Sequence, residues 1–191
     1  DSLVTQFTTL KGRKVFNGGG IVPDVKVDQD NLSTLAIELV TRFHIFDFAT
    51  IYAAKTPSIP QPEDFTITDT IFREFIEYVK NSDFKYDSET EEAFAELVKT
   101  AKNEKYFDLA SSEFKALEAK LKPDLDKDIH LFRSEISELM RDEIVSRFYY
   151  QKGAIRATLG TDPNVQKARE VLNQGNIFAG YFKPGTVISA N

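Results

Sequence analysis

The sequence predicts a mainly α fold: a helical bundle with a long antiparallel helix hairpin, preceded by a short N-terminal β-hairpin or extended segment. Three observations predict it. From Asn31 to Phe182 apolar residues recur at helical spacing. Leu125, Ile129, Phe132, Ile136 and Leu139 keep a strict 4-3-4-3 interval, which is the pattern of a packed helix seam. Before Asn31, short β-branched runs flank glycine-rich loops instead.

Thr5-Gln6-Phe7-Thr8-Thr9 alternates polar and apolar, and Arg13-Lys14-Val15-Phe16 follows across a loop containing Gly12. Two such runs read as a hairpin. Gly18-Gly19-Gly20 frees three backbone positions from Cβ constraint, which suits a tight turn. Ile21 to Val27 is extended, but Pro23 cannot donate to a ladder and confines it to an edge or a surface. Three short strands do not make a stable sheet alone, which points to membership of a larger one.

The first helix carries Leu32, Leu35, Ala36, Leu39, Val40 and Phe43, with Asn31 or Ser33 as its cap. It continues through Phe46, Ala49, Ile51, Tyr52 and Ala53 after a kink near His44. Thr56 to Pro62 holds three prolines and ends it, giving a candidate sub-boundary near residues 56–63. Asp69 is the expected cap of the next helix, whose face is Ile71, Phe72, Phe75, Ile76 and Val79. Ser88-Glu89-Thr90-Glu91 is a capping box, opening a helix with Phe94, Leu97, Val98 and Ala101 on one side. Ala110, Phe114, Leu117 and Leu121 form a stripe broken at Pro123. The longest helix is expected from Asp124 to Lys152, ending before Gly153, with its seam packed on the helix before it. Asp162-Pro163 starts a last helix, with Val165, Ala168, Val171 and Leu172, that stops at Gly175. Gly185 to Asn191 reads as a loose tail.

At 191 residues the chain can bury about 70% of its unfolded surface. Sixteen Phe and seven Tyr with no Trp imply a core rich in rings. The formal net charge of -6, with bases interleaved among acids, speaks against nucleic acid as a partner. Cysteine is absent, which removes disulfides, thiolate metal sites and a cysteine nucleophile. No apolar run approaches the roughly 20 residues that cross a bilayer. The chain opens Asp1-Ser2-Leu3 without Met, as expected of a processed or excised chain.

Candidate chemistry is sparse. His44 and Asp47 are an i, i+3 pair that could supply two metal ligands, but a third is not in view, so a partly buried helix histidine is the reading. His130, beside the seam, reads as a surface residue. Ser112-x-x-Lys115 has the bare spacing of some serine hydrolases, but lies mid-helix without an oxyanion loop. Glu89, Glu91, Glu92, Glu135 and Glu138 read as solvated helix faces. No Gly-Lys-Ser/Thr follows Gly18-Gly19-Gly20, so a phosphate cradle is not expected there. Neither a metal nor any other cofactor is expected. Arg147-Phe148-Tyr149-Tyr150 sets three rings in a row, so at least one leaves the core face; Phe148, Tyr149 and Tyr150 form either a core edge or an interface.

Phe7-Thr8-Thr9, Gly12-Arg13 and Gly18-Gly19-Gly20-Ile21-Val22-Pro23-Asp24-Val25 resemble the closing motif of the carboxyl-terminal processing, or tail-specific, serine peptidases. Asp1-Ser2-Leu3 and the run from Glu143 to Ala154 resemble the long-tailed Bacteroidetes-type members, so the resemblance spans most of the chain. It implies endoproteolysis by a serine nucleophile with a lysine base, a base that needs burial to lower its pKa, and a PDZ domain. In the family all three precede the motif, and no residue here matches the nucleophile or base. The resemblance therefore carries over no catalytic residue, only a structural junction of Gly12, Arg13, Gly20, Pro23 and Asp24. It implies terminal β segments of a protease domain in residues 1–30 and a helical C-terminal domain in residues 31–191. The expected partners are the upstream protease and PDZ domains, the parent's protein substrates and a second copy in a homo-oligomer. The helices would brace the protease and serve oligomerisation or substrate access, outside the cytoplasm. The alternative is a freestanding helical scaffold module.

Overall fold

The computed structural model describes residues 5–17, 23–28, 31–86 and 88–183. The chain divides into two compact units: residues 31–158, and residues 1–30 together with 159–191. The larger holds α1 (Thr34–Thr41), α2 (His44–Lys55), α3 (Asp69–Lys80), α4 (Glu89–Asn103), a 3-10 turn (Phe107–Ala110), α5 (Ser111–Leu121), α6 (Leu125–Leu131) and α7 (Arg133–Thr158). The smaller holds β1 (Gln6–Thr8), β2 (Lys14–Phe16), α8 (Pro163–Asn173) and α9 (Gly175–Gly180). The architecture is mainly α with a two-stranded N-terminal sheet, as the spacing predicts.

In the larger unit Ser33 caps α1, its Oγ accepting the Ala36 N–H at 3.2 Å. The break between α1 and α2 falls at Phe43, one residue before the expected kink, and Phe43 takes φ 62°. That left-handed backbone costs about 1–2 kcal/mol. Burial of Leu35 and Leu39 on one side of the break, and of Ile45 and Phe48 on the other, offsets it. Thr68, not Asp69, caps α3, through its Oγ1 and the Ile71 N–H at 3.3 Å. Asp69 pairs with Arg133 instead. The proline-rich segment is packed: Ile59, Pro62 and Phe65 are buried, and Tyr149 donates its hydroxyl to the Ile59 carbonyl at 3.1 Å.

The long helix departs most from expectation. It breaks at Phe132 (φ -97°, ψ 20°), so α6 and α7 share the seam. It then runs on through Gly153, with a second break at Tyr150 (φ 57°, ψ -166°). Ile136, Met140, Ile144 and Val145 of α7 are fully buried in the core with α1, α2 and α3. The main partner of α7 is α2, while α5 buries no side chain fully and packs on α4 and the 3-10 turn. Phe114 of α5 lies 5.2 Å from Phe107 and 6.1 Å from Phe94, a small aromatic cluster outside the main core. Ser33 meets Glu135, Thr50 meets Arg147 and Ile59 meets Tyr149. Partners advance together along both segments, so α2 and α7 are parallel neighbours.

In the smaller unit β1 and β2 pair antiparallel, with Gln6 opposite Phe16, Phe7 opposite Val15 and Thr8 opposite Lys14. Gly12 at φ 81° makes the turn between them possible. Residues 23–28 join no ladder among the described residues. Asp162 caps α8 by accepting from the Asn164 and Val165 amides at 2.7 and 3.1 Å, and Pro163 takes the first turn. α8 ends at Asn173, and Gly175 opens α9 rather than ending the chain's helical part. Gly18, Gly19, Gly20, Ile21 and Val22, the opening Asp1-Ser2-Leu3 and the tail from Gly185 lie outside the described residues.

Gly153 lies against its own helix: a Cβ there would meet the Tyr149 Cβ at 2.1 Å. The collision is with an atom fixed to the backbone, so neither side chain can swing away. Helix propensity alone gives Gly153→Ala a gain of about 1 kcal/mol. The expected result is the reverse, a loss of roughly 1–3 kcal/mol in denaturant unfolding; a stabilised variant would contradict the packing described.

Candidate functional site

Arg147 occupies the centre of the α2–α7 seam, one residue before the aromatic run. Its guanidinium lies 4.3 Å from the Phe46 ring centroid. It donates to the Phe46 carbonyl at 3.2 Å, to Thr50 Oγ1 at 3.2 Å and to Glu143 Oε1 at 2.6 Å. Planar, forked donors and a cationic face are both used, which lysine could not match. Nearby rings divide. Phe148 and Tyr149 are half-buried against the core, whereas Tyr150 is 78% exposed. Phe43 at 63% and Phe46 at 48% are also exposed, with ring centroids 6.2 Å apart and edge to face.

The junction residues belong to the smaller unit. Arg13 forms an ion pair with Asp24, tying the β-hairpin to the extended segment after Pro23. Gly12 supplies the turn that precedes Arg13; Gly20 lies outside the described residues. The structure thus brings together two of the motif's charged positions, eleven residues apart in sequence.

The remaining candidates take structural positions. His44 is half-buried, with its ring centroid 4.8 Å from Phe84 and 6.1 Å from Tyr78. Burial lowers its pKa below the usual histidine value, Arg42 lowers it further, and Asp47 opposes both. No cluster of three potential metal ligands exists among the described residues. His130 is exposed, 6.3 Å from the Phe72 ring. Ser112 donates its hydroxyl to Glu113 at 2.7 Å, and both Ser112 and Lys115 are exposed, without the burial that a lysine base requires.

Glu135 is not the solvated carboxylate expected of it. It is half-buried and accepts the Ser33 N–H at 3.1 Å, holding the start of α1 to α7. Glu89, Glu91, Glu92 and Glu138 are exposed. Asp128, which the sequence offers as one of three acids suited to the positive end of a helix dipole, is instead a polar residue of the interior. Its Oδ2 accepts from the Tyr86 hydroxyl at 2.5 Å and the Asp124 N–H at 2.9 Å. Burial, followed by the bond to Asp128, pushes the Tyr86 pKa well up.

A groove of about 1050 Å³ runs along α2 and α3, floored by Ile51, Tyr52 and Ile76 and rimmed by Lys55, Arg73, Glu74 and Glu77. With Lys80 also lining it, the groove carries three basic and two acidic side chains, and His130 lies at its wall.

The family model described as "Probable PDZ-protease, C-terminal helical domain" matches residues 35–172. No curated protein and no solved structure matches the chain.

Two outcomes are expected. A neutral, buried His44 stabilises the fold above the ordinary histidine pKa, and that contribution is lost as pH falls through the lowered one. His44→Phe should therefore flatten the decline in melting temperature between about pH 7 and pH 5; an unchanged slope would show that His44 is not its source. Arg147→Lys should cost about 1–3 kcal/mol in denaturant unfolding, through lost charged hydrogen bonds and ring contact. A loss below about 0.5 kcal/mol would mark it as an ordinary surface residue.

Proposed function

The chain belongs to the family of C-terminal helical domains of PDZ-proteases, and from that premise we propose that it is the non-catalytic C-terminal region of a serine endopeptidase of the carboxyl-terminal processing type. Its role is to brace the protease domain, with oligomerisation or substrate access as the task of its exposed aromatic face. The observation that carries the reading is the family match over residues 35–172, most of which fall in a unit with a complete core of its own. A rigid helical body suits a brace, because its parts hold their places without help from a partner.

Several residues support the finer reading. Arg13 and Asp24, two charged residues of the motif resembling the end of a tail-specific protease domain, are paired in space. Residues 1–30 are read as the terminal β segments of that domain. Tyr150, Phe43 and Phe46 offer rings to solvent at two places where helices change course. Protein substrates and an extracytoplasmic location follow from the same resemblance.

The test uses the full-length protein and a fluorophosphonate serine-hydrolase probe. The expected result is labelling of a serine upstream of Asp1 and none within residues 1–191. Labelling within these residues would overturn the non-catalytic assignment. An upstream region lacking both a PDZ domain and a probe-reactive serine would overturn the peptidase assignment in favour of a freestanding scaffold. Light scattering addresses the oligomer: a monomeric full-length protein would remove that part of the proposal.

A further inference from the structure

No residue of the stretch 89–121 belongs to the hydrophobic core that the rest of its unit shares. α4, the 3-10 turn and α5 pack on one another instead, around the rings of Phe94, Phe107 and Phe114. Lys102 closes this cluster, its Nζ 4.9 Å from the Phe107 ring centroid. Among the described residues, the stretch accepts one hydrogen bond from the bundle, from Lys127 Nζ to the Lys120 carbonyl at 3.3 Å, beside its root. It is an arm with internal packing of its own.

Both connections at the root are extended. Ser88 before α4 has φ -106° and ψ 130°, and Lys122 after α5 has φ -58° and ψ 126°. Pro123 keeps Lys122 out of the helical region, so no helix runs on from the arm into the bundle. A few residues at the ends of elements are where rigid bodies turn. One carboxylate joins the two connections. Asp128 Oδ2 accepts the Tyr86 hydroxyl of the entering strand at 2.5 Å and the Asp124 N–H of the leaving strand at 2.9 Å. Asp128 is buried in α6, next to the core residue Ile129. Further back, Arg42 anchors the entering strand by donating to the Lys85 carbonyl at 2.6 Å. Phe84 lies between His44 and Tyr86, at ring-centroid distances of 4.8 and 6.0 Å.

We propose that the junction of Tyr86, Asp128 and Asp124 is a clasp, and that residues 89–121 turn as one body when it opens. The Tyr86 bond is the member that opens. Asp124 and Asp128 are four residues apart in the turn that starts α6, so their bond survives movement of the arm. Tyr86 lies 42 residues before Asp128, and its bond is the one that spans the root. The arm amplifies a small rotation. The 15 residues of α4 extend about 22 Å, so a turn of about 10° carries the far end by about 4 Å. That end holds Tyr106 and Leu109, 62% and 82% exposed. The clasp therefore sets where these two apolar side chains are presented. It concerns motion within residues 31–158 and stands apart from the peptidase reading.

The chain contains no cysteine, so introduced cysteine pairs can carry spin labels, with any cysteine upstream of Asp1 changed to serine in the full-length protein. Thr100→Cys with Glu74→Cys spans arm and bundle, and Thr100→Cys with Glu118→Cys lies within the arm; all three positions are exposed. Pulsed dipolar spectroscopy should give one narrow distance for each pair while Tyr86 is present. Tyr86→Phe keeps the ring and removes only the hydroxyl. It should broaden the spanning distance at least twofold and leave the internal one narrow. Tyr149→Phe, which removes a hydroxyl bond to the Ile59 carbonyl, should change neither. A spanning distance that stays narrow in Tyr86→Phe, or is already broad with Tyr86 in place, would overturn the clasp. Broadening of the internal distance would overturn the single body, and broadening by Tyr149→Phe would reduce the effect to general loosening. Independently, amide exchange in residues 82–86 and 122–127 should speed about tenfold in Tyr86→Phe while residues 136–149 keep their protection. Unchanged exchange at the root would also overturn the proposal.

Discussion

Burial of the α7 seam against α2 is the interaction on which the larger unit depends. Ile136, Met140, Ile144 and Val145 are all fully buried, and each contributes on the order of 1.5–3 kcal/mol. Because the two helices run the same way, the chain between them cannot be a short turn. It must cross the unit and return, and α3 to α6 do so. α3 is then held against α6 and the start of α7 by Lys80 with Asp126, Phe72 near His130, and Asp69 with Arg133. These partners run in opposite order along the chain, so α3 is antiparallel to that stretch. Arg147 ties α7 to α2 through Phe46 and Thr50, and Glu135 ties it to the start of α1 through Ser33. Apolar burial supplies the stability, and these two side chains choose among its possible alignments.

The same constraint explains the strained positions. Phe43 and Tyr150 carry positive φ although neither is glycine. The Tyr150 pair of angles falls where glycine is almost alone, at a cost of about 1–3 kcal/mol. Such backbone persists only when both flanks are held. On one side of Tyr150, Ile144 and Val145 are buried; on the other, Gly153 and Ala157 are. The turn of the chain sends the Tyr150 ring outward, while Tyr149 bonds to the proline-rich segment. Gly153 completes the arrangement, because its missing Cβ leaves room for Tyr149.

Most elements were legible in the sequence because local spacing determines them. The 3.6-residue period located the helices, and Ser33, Ser88 and Asp162 marked three starts through their capping oxygens. What the sequence did not show depends on distant partners. The 4-3-4-3 seam announces that something packs on it, but nothing in the spacing says that α7 meets residues 97 and 101 positions earlier. The breaks at Phe132 and Tyr150 have no proline or glycine at the break itself, so no local signal marks them. Glu135 looked solvated because its acceptor role is set by Ser33, and Arg147 looked ordinary because Phe46 and Thr50 lie far back in the chain. Asp128 with Tyr86 was hidden in the same way. At the candidate site the residues were visible and their division was not. Three consecutive rings must diverge, yet which one faces water is decided by the break at Tyr150.

The two units differ in how completely they satisfy their own apolar surface, and that difference has a functional consequence. In residues 31–158 the apolar stripes of α1, α2, α3, α6 and α7 meet one another in a buried core, although side chains such as Ile37, Leu109 and Leu131 stay exposed. In the unit of residues 1–30 and 159–191 every described apolar side chain remains at least partly open. Free energy that the first unit gains within itself, the second can gain only from a partner. Neither the β-hairpin nor the α8–α9 pair can bury its face alone, so a partner that covers one favours ordering of the other.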